Sequence, residues 1–115
     1  MFVFEPDYTF EWPVTVKYPT AGGEDVRAFT AVFRLPEDEL DLYQAPKDST
    51  IHSVVEAVRD RLAEYWVGWN GIKTPDGEDL PFSPEMRARL LRQSPIRQAV
   101  DHALSDAITG IRKKN

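Results

Sequence analysis

Cysteine is absent from the 115 residues. That excludes disulfides, thiolate metal ligands and cysteine nucleophiles, and it suits a reducing compartment. Histidine is nearly absent too. His52 and His102 stand fifty residues apart, and neither has a second His or Cys at metal-ligand spacing. No apolar run approaches the roughly 20 residues that span a bilayer. The opening Met1-Phe2-Val3-Phe4-Glu5-Pro6 lacks the basic and long apolar regions of a signal peptide, so a cytoplasmic protein is expected. No nucleophile-elbow pattern presents a serine, and Gly22-Gly23 is not followed by the Lys-Ser/Thr of a phosphate loop. Asp76-Gly77-Glu78-Asp79 lacks the alternating oxygens and terminal glutamate of a calcium loop. The expectation is a protein that is not an enzyme and holds neither metal nor cofactor.

Large apolar side chains are plentiful. Three Trp, four Tyr and six Phe supply enough surface to offset chain entropy, and one domain over 1–115 is the natural unit at this length. The net charge of −5 is uneven. Residues 1–80 hold 16 acids against 7 bases; residues 81–115 hold 3 against 7. Such asymmetry marks either a partner surface or a solvated basic helix face.

Trp12, Val14, Val16 and Tyr18 alternate with Pro13, Thr15 and Lys17, the period of a half-buried strand. Pro13 cannot donate to a ladder, so it belongs at a strand start or on an edge. Pro19 to Asp25 holds Gly22-Gly23 and reads as a turn. Phe29, Ala31 and Phe33 then share one face of a return strand ending at Leu35-Pro36. A hairpin over 1–35 results, with Phe2, Val3 and Phe4 available for a third short strand. A lone hairpin is marginal in water, so it must lean on helices.

After a short acidic helix over Glu37–Tyr43 and a loop from Gln44 to Asp48, Ile51, Val54, Val55, Val58, Leu62, Tyr65 and Trp66 form one apolar stripe. The spacing predicts a helix over 48–69, capped near Asp48, Ser49 or Thr50 and stopped between Gly68 and Gly71. A loop over 70–83 contains the tight-turn sequence Thr74-Pro75-Asp76-Gly77. Ser83-Pro84 and Ser94-Pro95 each carry a cap followed by a first-turn proline, predicting helices over 83–94 and 95–110. Gly110 closes the last one, with Ile111 folding back over it, and 111–115 is a basic tail. The whole is an α+β fold: an N-terminal hairpin or small antiparallel sheet packed on about three C-terminal helices.

Trp66-Val67-Gly68-Trp69 is the segment with most apolar surface. On a helix the two rings share a face, as core plugs or as interface anchors. Tyr65, Trp66, Trp69, Ile72, Phe82, Leu90 and Leu91 are the candidate partner-binding residues, though the same side chains would serve as core. A small DNA-binding regulator is the alternative, drawing on Arg87, Arg89, Arg92, Arg97, Arg112, Lys113 and Lys114 in the C-terminal helices. The acidic pI near 5.0 weighs against nucleic acid through long-range repulsion.

In order along the chain, these motifs resemble the tail assembly chaperones of siphophages and prophages. The resemblance covers nearly the whole length. It runs through Tyr8-Thr9-Phe10-Glu11-Trp12-Pro13-Val14-Thr15-Val16 and Ala28-Phe29-Thr30-Ala31-Val32-Phe33-Arg34. Its most specific stretch is Val67-Gly68-Trp69-Asn70-Gly71-Ile72, followed by Asp76-Gly77, Leu80-Pro81-Phe82-Ser83 with Glu85, and Leu90-Leu91. It closes in the small-residue helix from Ile96 to Gly110. The hairpin turn and the segment around Ala45-Pro46-Lys47 depart from the pattern. The resemblance implies a non-catalytic protein of the bacterial host cytoplasm, absent from the mature virion. Such a protein binds the tape measure protein, keeps its apolar helices dissolved and helps tail tube protein assemble around it, with self-association open. In some relatives a frameshift adds a C-terminal domain that recruits tube protein.

Overall fold

The computed structural model describes residues 1–43 and 45–110. The expectations for Gln44, for Ile111 folding back and for the basic tail lie outside them. Two long strands, β1 (Thr9–Thr20) and β2 (Gly23–Arg34), form the hairpin. A third strand, β3 (Trp66–Asn70), follows helix α1 (Ile51–Tyr65), and the antiparallel sheet has the order β1-β2-β3. Helices α2 (Pro84–Leu91) and α3 (Ser94–Thr109) follow, with a short 3-10 turn over Glu39–Tyr43 between sheet and α1. The architecture is α+β.

The alternation in β1 does what its period demands. Val14 and Val16 are buried and Trp12 and Tyr18 half-buried, while Pro13, Thr15 and Lys17 face outward. Pro13 sits on β1, an edge strand, where its missing N–H removes no ladder bond from the sheet interior. On β2, Ala31 and Phe33 are buried with Phe29 half-buried beside them. The turn is tighter than expected, because Thr20 already pairs with Gly23, which takes φ 138°. Helix α3 lies against β1 and buries Ile96, Val100, Ala103 and Leu104, closing a core with Phe33, Leu62, Trp66 and Leu91.

The third strand is not where the sequence places it. Phe2, Val3 and Phe4 are exposed and unstranded, and the helix expected over 48–69 ends at Tyr65. Trp66 turns extended at φ −92°, ψ 99° while its N–H still donates to the Leu62 carbonyl. β2 presents an open row of ladder groups there, and pairing with it outweighs one more helical turn carrying Gly68, a poor helix residue. Phe33 pairs with Trp66 and Val32 with Gly68, so Val67 is the extra residue of a β-bulge. That single insertion matters. Residues three apart on a regular strand face opposite ways, but the bulge turns both Trp66 and Trp69 to the core face, opposite Phe33 and Ala31.

The helix starts are mixed. Thr50 caps α1 by accepting from Ser53 N–H at 3.1 Å, and Ser83 caps α2 by accepting from Met86 N–H at 3.0 Å. Ser94 does not cap α3: Gln93 holds that position without a side-chain bond, and Ser94 Oγ accepts from Gln98 instead. Gly110 ends α3 in the left-handed region at φ 70°, its N–H donating to Asp106.

Candidate partner-binding surfaces

The seven residues singled out from sequence divide in two. Tyr65, Trp66, Trp69 and Leu91 are core. The indoles of Trp66 and Trp69 lie 5.1 Å apart, Phe29 tilts against the first at 5.9 Å and Phe82 meets the second edge-on at 4.8 Å. Trp69 Nε1 donates to the Leu80 carbonyl at 2.8 Å. Burial pushes the Tyr65 phenol up, with Glu64 and Asp41 adding and Arg34, over its ring at 4.9 Å, opposing. Four of the seven therefore offer a partner almost no surface. Ile72, Phe82 and Leu90 are half-buried and border open surface.

Two of those three line a groove of about 580 Å³ at the turn end of the hairpin. One wall is Val16, Tyr18 and Phe29 of the sheet; the other is Ile72, Leu90 and Ile96. Residues 72–80 form its lip as a small hairpin of their own. Leu80 N–H donates to the Ile72 carbonyl at 2.9 Å, Lys73 bridges Asp79, and the Thr74 carbonyl accepts from Gly77 at 2.9 Å. The tight turn expected at Thr74–Gly77 is thus present, with Gly77 at φ 85°. The groove's charged lining residues, Arg27 and Lys73, are both cationic.

A second surface runs along α1. Its stripe has the helical period, but only Leu62 and Tyr65 at the C-terminal end are sealed, with Val58 packed against the core beside them. Val55 and Val58 are half-buried; Val54 is 44% and Ile51 81% exposed. A ridge spaced i, i+3, i+4, i+7 therefore emerges from the core into solvent. Glu56 and Asp60 project from the helix's other side. Tyr43 and Leu40 of the preceding 3-10 turn are exposed as well.

No family model, curated protein or solved structure matches this chain.

The spacing of Ile51 and Val54 shows which face of the helix is apolar and not how far along it the sheet extends. The late basic cluster is partly structural. Arg87 Nη1 donates to the Trp66 carbonyl at 2.8 Å, and Arg97 Nη1 donates to the Leu91 carbonyl at 3.0 Å and that of Arg92 at 3.3 Å. Arg89 and Arg92 remain exposed. His52 lies beside Glu56 at 3.5 Å and His102 beside Asp106 at 3.2 Å, each pair one turn apart on its own helix. Among the described residues no helix is long and apolar enough to cross a membrane.

Proposed function

We propose that this protein is a non-catalytic tail assembly chaperone, which shelters apolar helical segments of a phage tape measure protein in the host cytoplasm while tail tube protein assembles, and leaves before the virion is complete. The observation that carries this is the outward apolar ridge of α1. A helix lays its own apolar stripe along such a ridge, side chains interdigitating at i, i+3 and i+4. Ile51 and Val54 are open to a partner, and Val55 and Val58 continue the contact toward the core. Glu56 and Asp60 keep the rest of the helix wetted, so the free protein tolerates an exposed apolar line. A contact of three or four aliphatic side chains is weak singly. A long client with many such segments takes up many copies, each held weakly enough to release.

Co-expression with the tape measure protein of the same phage tests it. The client is expected in the soluble fraction only when this chain is present, in a complex that co-elutes. Ile51→Glu with Val54→Glu should abolish the complex while leaving the circular dichroism spectrum and melting unchanged, since both side chains already face water. A tape measure protein equally soluble with and without this chain sinks the proposal.

A further inference from the structure

We infer that Pro13 and Pro19 close the free edge of the sheet to strand addition, so that neither a second copy nor an extended partner segment pairs with β1. The hairpin fixes which way each backbone group of β1 points. Thr20 pairs with Gly23 across a two-residue turn, and at the other end Leu35 N–H donates to the Tyr8 carbonyl at 2.9 Å. Hydrogen-bonded pairs alternate along an antiparallel ladder. The even-numbered residues from Tyr8 to Thr20 therefore bond to β2. The odd-numbered ones, Thr9, Glu11, Pro13, Thr15, Lys17 and Pro19, direct their backbone groups away from it. Among the described residues β1 has β2 as its one neighbour in the sheet, and all of the odd-numbered residues are exposed.

Without the prolines this edge would be a hazard. It is 12 residues long and rich in aromatic and β-branched side chains, which favour strand pairing. An unbroken row of outward N–H groups, one every ~7 Å, would template another strand. Pro13 and Pro19 have no N–H to offer. What remains is Thr9 with Glu11 and Thr15 with Lys17, two short runs. The Pro13 ring stands between them, where an incoming carbonyl would need a donor. Lys17 adds a charge to the second run, which also discourages pairing. Proline is a poor strand residue, and two in one strand weaken the hairpin. The gain that offsets this is a long edge that does not polymerise. It follows that partner contacts along β1 are made by side chains and not by the backbone ladder.

Pro13→Thr on the full chain, with no client present, tests this. Threonine is polar, suits a strand and restores one N–H, so the outward donors run unbroken from Thr9 to Lys17. In sedimentation velocity the variant should self-associate about tenfold more tightly than wild type, the gain for one or two added ladder bonds. Hydrogen exchange locates the contact. The Thr15 and Lys17 amides should become protected as the variant is concentrated, and should exchange rapidly in wild type at every concentration. The deciding control moves the proline. Pro13→Thr with Thr15→Pro has the wild-type composition, keeps every bond to β2 and breaks the row one place further on, so it should return to wild-type behaviour. Three results each overturn the inference: wild-type Thr15 and Lys17 amides protected on concentration, a Pro13→Thr variant that sediments as wild type or associates without protecting them, or a swapped variant that associates as tightly as Pro13→Thr. The α1 ridge enters none of these measurements, so the chaperone proposal is untouched by any of them.

Discussion

Arg87 of α2 donates from Nη1 to the backbone carbonyl of Trp66, the first residue of β3, across 2.8 Å. The same guanidinium stands 5.5 Å from the centre of the Phe82 ring. One side chain thus ties the second helix to the strand that ends the first, at the point where the backbone changes from helical to extended. Burial of the guanidinium pushes its pKa down, and the bond requires the cation it retains.

Arg87→Ala should therefore destabilise the fold by about 1–2 kcal/mol, the range for a hydrogen bond from a partly exposed charged donor. Arg87→Lys keeps the charge and loses the planar fork, so it should fall between wild type and alanine. Arg89→Ala, two residues away and exposed, is the control and should stay within about 0.5 kcal/mol. Urea denaturation read by tryptophan fluorescence measures all three. Equal midpoints for the Arg87 and Arg89 variants would show that the tie is idle.

The start of α1 should loosen in acid. Asp48 Oδ1 accepts from Thr50 Oγ1 at 2.6 Å and from Thr50 N–H at 2.9 Å, and these bonds hold its carboxyl below the usual range. Thr50 Oγ1 in turn accepts from Ser53 N–H, so the carboxylate orients the cap. A depressed carboxylate adds stability above its unfolded pKa of about 3.9 and loses it as pH falls through the lower folded value. Melting temperature should fall between about pH 5 and pH 3 more steeply for wild type than for Asp48→Asn. Parallel curves would show that the carboxylate contributes nothing to the cap.

Much of this architecture is legible in the sequence, and the misses share a cause. Val14 and Val16 announce a buried strand face because period two is a property of the strand itself. Asp48-Ser49-Thr50, Ser83 and Gly110 announce helix ends because caps act within one turn, and Thr50 is the one of the three that caps α1. Trp66 and Trp69 are different. Their spacing fits a helix face equally well, and only pairing with β2, more than thirty residues earlier, together with the bulge at Val67, makes them a strand with both rings inward. Ile51 and Val54 show the same limit: they share a stripe with Leu62, yet the core stops short of them. Of the groove's lining, Ile72 and Leu90 are among the candidates read from sequence, Ile72 beside the aromatic segment and Leu90 on the Leu90-Leu91 ridge of the helix begun by Ser83-Pro84. Tyr18, Arg27 and Lys73 are not, since a groove exists only once hairpin and helices are assembled.

The lip of the groove should depend on one indole. Trp69 Nε1 donates to the Leu80 carbonyl at 2.8 Å, and Leu80 N–H donates to the Ile72 carbonyl at 2.9 Å, so the small hairpin over 72–80 is fastened to β3 through a side chain. Trp69→Phe keeps an aromatic ring between Trp66 and Phe82 and deletes the donor. The Leu80 carbonyl then loses its partner, at about 1–3 kcal/mol for a buried acceptor and less if water reaches it. The effect should be local, because within the hairpin Lys73 bridges Asp79, Thr74 N–H donates to the Glu78 carbonyl and Leu80 N–H to the Ile72 carbonyl, while the Trp69 bond to Leu80 fastens the unit to β3. Hydrogen exchange should speed up across 72–80 while the amides of α3, sealed against β1, keep their wild-type protection. Uniform acceleration across both segments would mean that Trp69 holds the global core and that the hairpin has no separate anchor.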